Sequence, residues 1–177
     1  MKRITILMLI MPLAAIAIFD ASCATINTRI AKDTTVFKVV VNYNQSLTDM
    51  VKAGKFDWTN PDIVSEHFPT INSGETTIDL ELYQFKHGVW SYEVVELLDK
   101  AGYRPANIFE LLAFEARYPD RQRKYPIVVL ASKWQYDENN WAVPAVVELE
   151  HGRYLGLIRF ANNAGFSQKS RFLVIRK

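Results

Sequence analysis

The side chains that could perform acid–base chemistry are few and scattered along the chain. Glu66 directly precedes His67, and general acid–base catalysis uses such a pairing of a carboxylate with an imidazole. Glu93 and Glu96 are three residues apart, a spacing that fits the solvated face of a helix better than a catalytic pair. We therefore expect no catalytic centre from these residues, and an uncharacterised hydrolase-type enzyme is kept only as an alternative.

Metal-binding and nucleophilic patterns are weak as well. His67, His87 and His151 lie far apart and lack the short spacings of zinc ligands. The segment from Asp137 to Asn140 is rich in oxygen donors, but a solvated loop is favoured over a calcium site, which needs about six to eight oxygen ligands. Neither G-x-S-x-G nor H-E-x-x-H occurs in the chain. The sequence predicts no metal, no cofactor and no catalytic residue.

The chain begins with a pattern that is typical of protein export. Lys2 and Arg3 precede an apolar run over residues 4–19, and small residues follow that run. The run is short for a membrane span, which needs about 20 residues. Residues 1–24 are therefore predicted to be a signal peptide, and the protein to be periplasmic, extracellular or at the cell surface. A retained membrane anchor is the minority alternative.

The lone cysteine, Cys23, lies where bacterial lipoprotein signals place the residue that receives the lipid. Such signals usually carry an apolar residue three positions earlier, whereas this chain has Asp20. Ser22 and Ala24 fit the small-x-small rule for ordinary cleavage after Ala24. Ordinary cleavage is therefore favoured over lipidation of Cys23. A disulfide within the chain is excluded, because a single cysteine has no partner.

The rest of the chain has the composition of one globular domain. Of the 177 residues 49% are hydrophobic, which is enough for a sizeable core, and 21 basic residues nearly balance 19 acidic ones. Because the charges are spread without long blocks, no basic groove for nucleic acid is expected. Residues 25–34 are predicted to be a linker and residues 35–177 a single domain, in which residues 35–90 form an N-terminal subdomain.

Strands are predicted from β-branched and aromatic content and from period-two alternation. Ser46 is predicted to cap a short helix that Gly54 follows, and residues 55–73 are predicted to be mostly loop. Glu150 to Arg153 has the composition of a hairpin tip. The predicted strands cover residues 36–43, 76–85, 127–131, 143–149, 154–160 and 172–176.

The clearest signals lie at the centre of the chain. Ser91 is predicted to cap a helix that ends at Gly102, which can adopt a left-handed conformation. Asn107 and Glu110 then form a predicted capping box for a second helix. Helices that precede a mostly antiparallel sheet indicate an α+β fold, with the two central helices packed on the sheet.

Three segments of the second half resemble a known family. Gly102 to Leu112 reads G-Y-R-P-A-N-I-F-E-L-L and resembles the G-W-R-L-P-T-x-x-E-L helix start of bacterial C-type-lectin-like domains, including the Lcl type and the variable proteins of diversity-generating retroelements. Ala131 to Trp134 is similar to their W-S-S strand region, and Arg171 to Arg176 to their closing Y-V-R-C-V-R strand. The order of the three segments is also shared. The resemblance spans about residues 102–177 and implies a C-type-lectin-like fold for residues 91–177.

The resemblance also implies an exposed binding surface built from long loops and late strands. Tryptophan and tyrosine suit such a surface because they offer a large, rigid contact area with a polar group. The alternative to a binding role is core packing for the aromatic candidates and turn formation for the asparagines. The candidate ligand-binding residues are Trp134, Tyr136, Asn139, Asn140, Trp141, Tyr154, Arg159, Asn162, Asn163 and Phe166.

The functional hypothesis from the sequence is an exported, non-catalytic recognition domain that binds a glycan or a surface protein. The alternatives are a structural, envelope-associated assembly protein and the uncharacterised enzyme. No nucleic-acid partner is predicted. Contact with a membrane is expected only through the N-terminal segment, if that segment is retained or lipidated. The sequence specifies neither the ligand nor the oligomeric state.

Overall fold

The computed structural model describes residues 35–70, 72–150 and 152–177, in which three α-helices accompany a mostly antiparallel sheet. This is the α+β class that the sequence predicts. The helices are α1 (Leu47–Gly54), α2 (Ser91–Lys100) and α3 (Ile108–Arg117), with one 3-10 turn at Gln122–Lys124. The strands are β1 (Phe37–Asn42), β2 (Trp58–Thr59), β3 (Glu75–Tyr83), β4 (Val89–Trp90), β5 (Tyr103–Pro105), β6 (Ile127–Val128), β7 (Trp134–Gln135), β8 (Trp141–Leu149), β9 (Gly152–Phe160), β10 (Gly165–Phe166) and β11 (Arg171–Arg176).

Nine of the described strands form one sheet. Its main path runs β1-β3-β11-β6-β8-β9-β2, while β5 pairs with β11 and β7 pairs with β8. The pairs β11–β6 and β2–β9 are parallel, and the other pairs in this sheet are antiparallel. Strands β10 and β4 form a separate two-stranded sheet. Because β11 joins β3 to the late strands, residues 35–90 and 91–177 contribute to the same sheet.

Hydrophobic side chains cover both faces of the central strand β11. Leu173 packs in a cluster with side chains of α1 and α3. Its neighbours Phe172 and Val174 belong to a second cluster, which contains Val94 and Leu98 of α2. Successive residues of a strand point to opposite faces, so α2 lies on the other side of the sheet from α1 and α3. A strand that is buried on both faces reads as a continuous apolar run, as β11 does.

Several local predictions are confirmed. Ser46 caps α1 by accepting the Asp49 N–H at 3.1 Å. Asn107 and Glu110 form the predicted capping box of α3. Gly102 follows α2 with a φ of 83°. The β8–β9 hairpin joins Leu149 to Gly152 in antiparallel register, as the predicted tip requires.

Other local predictions are wrong. Ser91 does not cap α2 but is its first residue, because its N–H donates to the Ala164 carbonyl and its hydroxyl is buried. Gly54 is the last residue of α1, and the left-handed position is Lys55, with a φ of 51°. A Cβ at Gly54 would lie 2.3 Å from the Phe56 ring, so this glycine is required by close packing.

The structure also differs from the prediction in one strand and one loop. The predicted strand over residues 127–131 shortens to the two residues of β6, and the predicted loop over residues 55–73 contains the short strand β2. The predicted signal peptide of residues 1–24, the linker of residues 25–34 and Cys23 lie outside the described residues. Within the part of the chain that the structure covers, no helix is long and apolar enough to cross a membrane.

Candidate functional site

The candidate binding residues occupy several separate environments. Trp134 on β7 stacks on His67, with the ring centroids 4.2 Å apart and 13° between the ring planes. Tyr136 lies 5.7 Å from Trp134 and is 44% exposed. His67 Nδ1 is 2.9 Å from the Asp62 carbonyl oxygen, which can only accept, so this nitrogen carries a proton. The hydrogen bond to Asp62 and the stacking on Trp134 therefore hold the segment from Asp62 to His67 against β7.

The segment from Asp137 to Asn140 forms a self-contained turn. The Asp137 carboxylate accepts the N–H groups of Asn139 and Asn140, at 2.9 and 2.8 Å, and the Asn140 side-chain amide at 2.8 Å. These hydrogen bonds, with that from the Asn139 N–H the strongest, lower the pKa of the Asp137 carboxyl. Arg159 donates to the Asn140 side-chain oxygen at 3.0 Å. Among the described residues, no group of three or more histidine, cysteine or acidic side chains could hold a metal ion.

The loop after β9 supplies no aromatic contact residue. Phe166 is only 5% exposed and packs 5.1 Å from Phe172, because the β10–β4 pairing directs it into the second hydrophobic cluster. Phe166 is therefore a core residue, which corrects its assignment to a binding surface. Asn162 and Asn163 are exposed in a turn in which the Ala164 N–H donates to the Ala161 carbonyl.

Tyr154 has an aromatic neighbour that the sequence analysis missed. Trp58 of β2 is in parallel register with Tyr154 of β9, and their ring centroids are 6.1 Å apart with 41° between the planes. Trp58 is 46% exposed. A tryptophan among turn-forming residues of a predicted loop could have indicated an exposed binding residue. Only the pairing of β2 with β9 shows that this tryptophan lies beside Tyr154.

Open space lies beside this aromatic pair. Gly156 follows Tyr154 by two residues, so it lies on the same face of β9. A Cβ built on Gly156 would meet no atom within 4 Å. Val147 and Leu149 of β8 share this face because they are opposite Tyr154 and Gly152, and Leu149 is exposed. We call the surface formed by Trp58, Tyr154 and Gly156 the aromatic platform.

Backbone hydrogen bonds fix the position of Trp58 on both sides. The Asp57 N–H donates to the Arg153 carbonyl at 2.9 Å, and the Arg153 N–H donates to the Asp57 carboxylate at 2.7 Å. The Asn60 N–H donates to the Leu155 carbonyl at 2.9 Å. The approach of Asp57 requires glycine at position 152, where a Cβ would lie 2.3 Å from the carboxylate. These contacts hold the aromatic platform in a fixed position.

A buried ion pair lies on the opposite face of β9. Arg153 donates to the Glu115 carboxylate at 2.9 Å and to the Gly54 carbonyl at 2.6 Å, so it links β9 to both α3 and α1. The second carboxylate oxygen of Glu115 and Nε of Arg153 are buried without a hydrogen-bond partner. Burial raises the pKa of Glu115 to about 7, although Arg153 acts in the opposite direction.

This raised pKa predicts a specific pH dependence of stability. The folded state retains the Glu115 proton up to about pH 7, whereas the unfolded state releases it near pH 4.5. The contribution of Glu115 to the free energy of unfolding should therefore be greatest below pH 4.5. It should decrease by about 3 kcal/mol as the pH rises through 7. Urea titrations across this pH range give the free energy of unfolding of the wild type and of Glu115→Gln. The difference between the two proteins at each pH measures the contribution of Glu115. Parallel pH profiles of the two proteins would contradict the prediction.

Comparisons of the chain with protein-family models, with curated proteins and with solved structures find no match.

Proposed function

We propose that this protein is a non-catalytic recognition domain that binds a carbohydrate on the aromatic platform. The Trp58–Tyr154 pair carries the proposal, because two fixed aromatic rings, one of them 46% exposed, lie beside open space above Gly156. A sugar ring has an apolar face of C–H groups that packs on an aromatic ring. Its hydroxyl groups can bond to the tyrosine hydroxyl and the indole N–H, the polar groups of these side chains.

The size of the platform favours a sugar over a protein. A stable protein interface needs about 800 Å² from each partner, with a polar rim around a hydrophobic centre. The platform consists of two rings and a glycine, with Val147 and Leu149 as its apolar border. A surface-protein ligand and a structural, envelope-associated assembly are therefore the competing outcomes of the test.

A C-type-lectin-like fold of residues 91–177 is part of the same proposal. The three segments that carry the resemblance meet at Ala106, whose N–H donates to the Leu173 carbonyl and whose carbonyl accepts the Ala131 N–H. In addition, the Ile108 N–H donates to the Ser132 hydroxyl at 2.9 Å. These contacts support the interpretation of the three segments as one structural unit. An exported protein of this kind would meet its ligand outside the cytoplasm.

The proposal is tested by glycan binding of the full chain. We expect binding to a glycan array, and we expect Trp58→Ala to reduce affinity for the bound glycan at least about fivefold, because a stacked aromatic ring is worth about 1–3 kcal/mol. Gly156→Val should also block binding, since a Cβ at this position meets no atom within 4 Å and the valine side chain would occupy the open space. Neither variant should shift the thermal midpoint by more than a few degrees, because Trp58 is exposed and the space beside Gly156 is open.

Trp90→Ala is the matched control, since Trp90 is also an exposed tryptophan but lies on β4, in the small second sheet. It should bind the glycan like the wild type. Full affinity of Trp58→Ala, or no glycan bound on the array, would contradict the proposal. A stable oligomer in light scattering that Trp58→Ala dissociates would instead support the assembly alternative.

A further inference from the structure

Within the described residues, strand β1 lies at one edge of the sheet. Among the described strands it pairs only with β3, in a register that the Tyr43 N–H continues by donating to the Gly74 carbonyl. In an antiparallel ladder, every second residue forms hydrogen bonds with the partner strand. Counting back from Tyr43, Val41 and Val39 form hydrogen bonds with β3, whereas Val40 directs its N–H and carbonyl away from β3. Among the described residues the outward carbonyls of Lys38 and Asn42 accept the Tyr118 hydroxyl at 3.3 Å and the Gln45 N–H at 3.2 Å. Val40 therefore supplies the outward N–H and carbonyl that a further strand can use.

A groove follows this edge. It has a volume of about 520 Å³ and lies between β1, α1 and α3. The helices contribute the small side chains of Ala53, Ala113 and Ala116, which leave space beside the strand, while buried Met50 and Leu112 form an apolar base. A strand added to β1 would therefore find hydrogen-bonding groups on one side and an apolar wall on the other.

The groove has opposite charges at its two ends. Arg117 lies at the end near Lys38, because the neighbouring Tyr118 hydroxyl donates to the Lys38 carbonyl at 3.3 Å. Glu75 lies at the other end, opposite Asn42 in the β1–β3 register. Within the described residues neither Arg117 nor Glu75 forms an ion pair. Both charges are available to an occupant.

We propose that this groove binds an extended peptide, which adds to the edge of β1 as an antiparallel strand. An antiparallel strand runs opposite to β1, so its C-terminal end lies beside Arg117 and its N-terminal end beside Glu75. The charges of a free peptide, a carboxylate at the C-terminus and an ammonium at the N-terminus, match this arrangement. The occupant is therefore a peptide of about four residues with a free N-terminal ammonium and a free C-terminal carboxylate.

The shape of the groove favours this occupant over a second copy of the protein. Both α1 and α3 line the groove, so the edge is reached from within a concave channel. A single strand fits such a channel more readily than the edge of a folded sheet that brings its own helices. This surface is separate from the aromatic platform, which is formed by β2 and β9 at the opposite end of the sheet.

Proline at position 40 provides a selective test. Val40→Pro removes the outward N–H but no β1–β3 hydrogen bond, and proline is tolerated at such positions of an edge strand. The probe is a synthetic array of extended tetrapeptides with alternating valine and threonine, each with a free N-terminus and either a free C-terminal carboxylate or an amide. We expect the full chain to bind the carboxylate series and Val40→Pro to weaken binding about two- to tenfold, with an unchanged thermal midpoint. Val40→Thr, which retains the N–H, is the matched control.

Arg117→Gln tests the charge match. It should weaken binding of the carboxylate peptides several-fold and leave the amide peptides unaffected, because only the former pair with the guanidinium. Equal binding by Val40→Pro and the wild type, or no peptide bound in either series, would overturn the proposal. A dimer in light scattering that Val40→Pro dissociates would overturn it in favour of a second copy. Trp58→Ala should bind these peptides normally, so failure of the carbohydrate proposal would be recognised separately.

Discussion

Replacing Arg153 with methionine is expected to lower the free energy of unfolding by about 3 to 5 kcal/mol at pH 8. The guanidinium is buried and links three elements, through the Glu115 carboxylate of α3 and the Gly54 carbonyl that ends α1. Methionine fills a similar volume but leaves the carboxylate without its partner. The loss should be smaller at pH 5, where Glu115 can hold a proton and carry no charge. Urea denaturation at the two pH values measures both effects.

Two further variants identify the cause. Arg159→Met is the matched control, because Arg159 lies on the same strand but is exposed and, among the described residues, forms a hydrogen bond only with the side chain of Asn140. It should change stability by no more than about 0.5 kcal/mol. The double variant Arg153→Met/Glu115→Leu should be more stable than Arg153→Met alone, because a buried ion pair can be replaced by apolar groups at little cost. If the double variant were no more stable, the buried carboxylate would not be the reason for the loss.

The elements that the sequence predicted correctly depend on residues close together in the chain. The capping box needs only Asn107 and Glu110, and the end of α2 needs only the backbone freedom of Gly102. The failure at Ser91 has a distant cause, because Ala164 of a later turn accepts the N–H that opens the helix. Local patterns specify local hydrogen bonds, and they cannot anticipate a competing acceptor that the tertiary fold brings close.

The candidate surface was predicted less well than the fold for the same reason. Tyr154 was a candidate from its place on a late strand, but Trp58 was not, since β2 is a strand only through its pairing with β9. The period-two geometry also separates neighbours in the sequence. Arg153 points to the helices and Tyr154 to the opposite face, so candidates from one strand do not form one surface. The sequence could identify suitable residue types, but their grouping required the sheet register.

Replacing Glu110 with alanine is expected to lower the free energy of unfolding by about 3 kcal/mol, from lost hydrogen bonds to a charged group and a lost cap. Glu110 is 1% exposed and accepts the Asn107 N–H at 2.8 Å, the Tyr43 hydroxyl at 3.1 Å and Arg104 at 2.9 and 3.2 Å. It therefore ties the start of α3 to the residue that follows β1 and to β5. Thermal and urea denaturation measure the loss.

The stability lost in Glu110→Ala should contain a separate contribution from each of these partners. Asn107→Ala removes only one half of the capping box and should cost about 1 kcal/mol. Glu96→Gln is the control for loss of a helical carboxylate, because Glu96 is exposed and its pair with Lys100 should contribute no more than about 0.5 kcal/mol. Arg104 is 44% exposed and can be hydrated when Glu110 is removed, so Glu110→Ala should be less costly than Arg153→Met. A Glu110→Ala protein as stable as Glu96→Gln would show that the buried carboxylate does not hold α3 to β1 and β5.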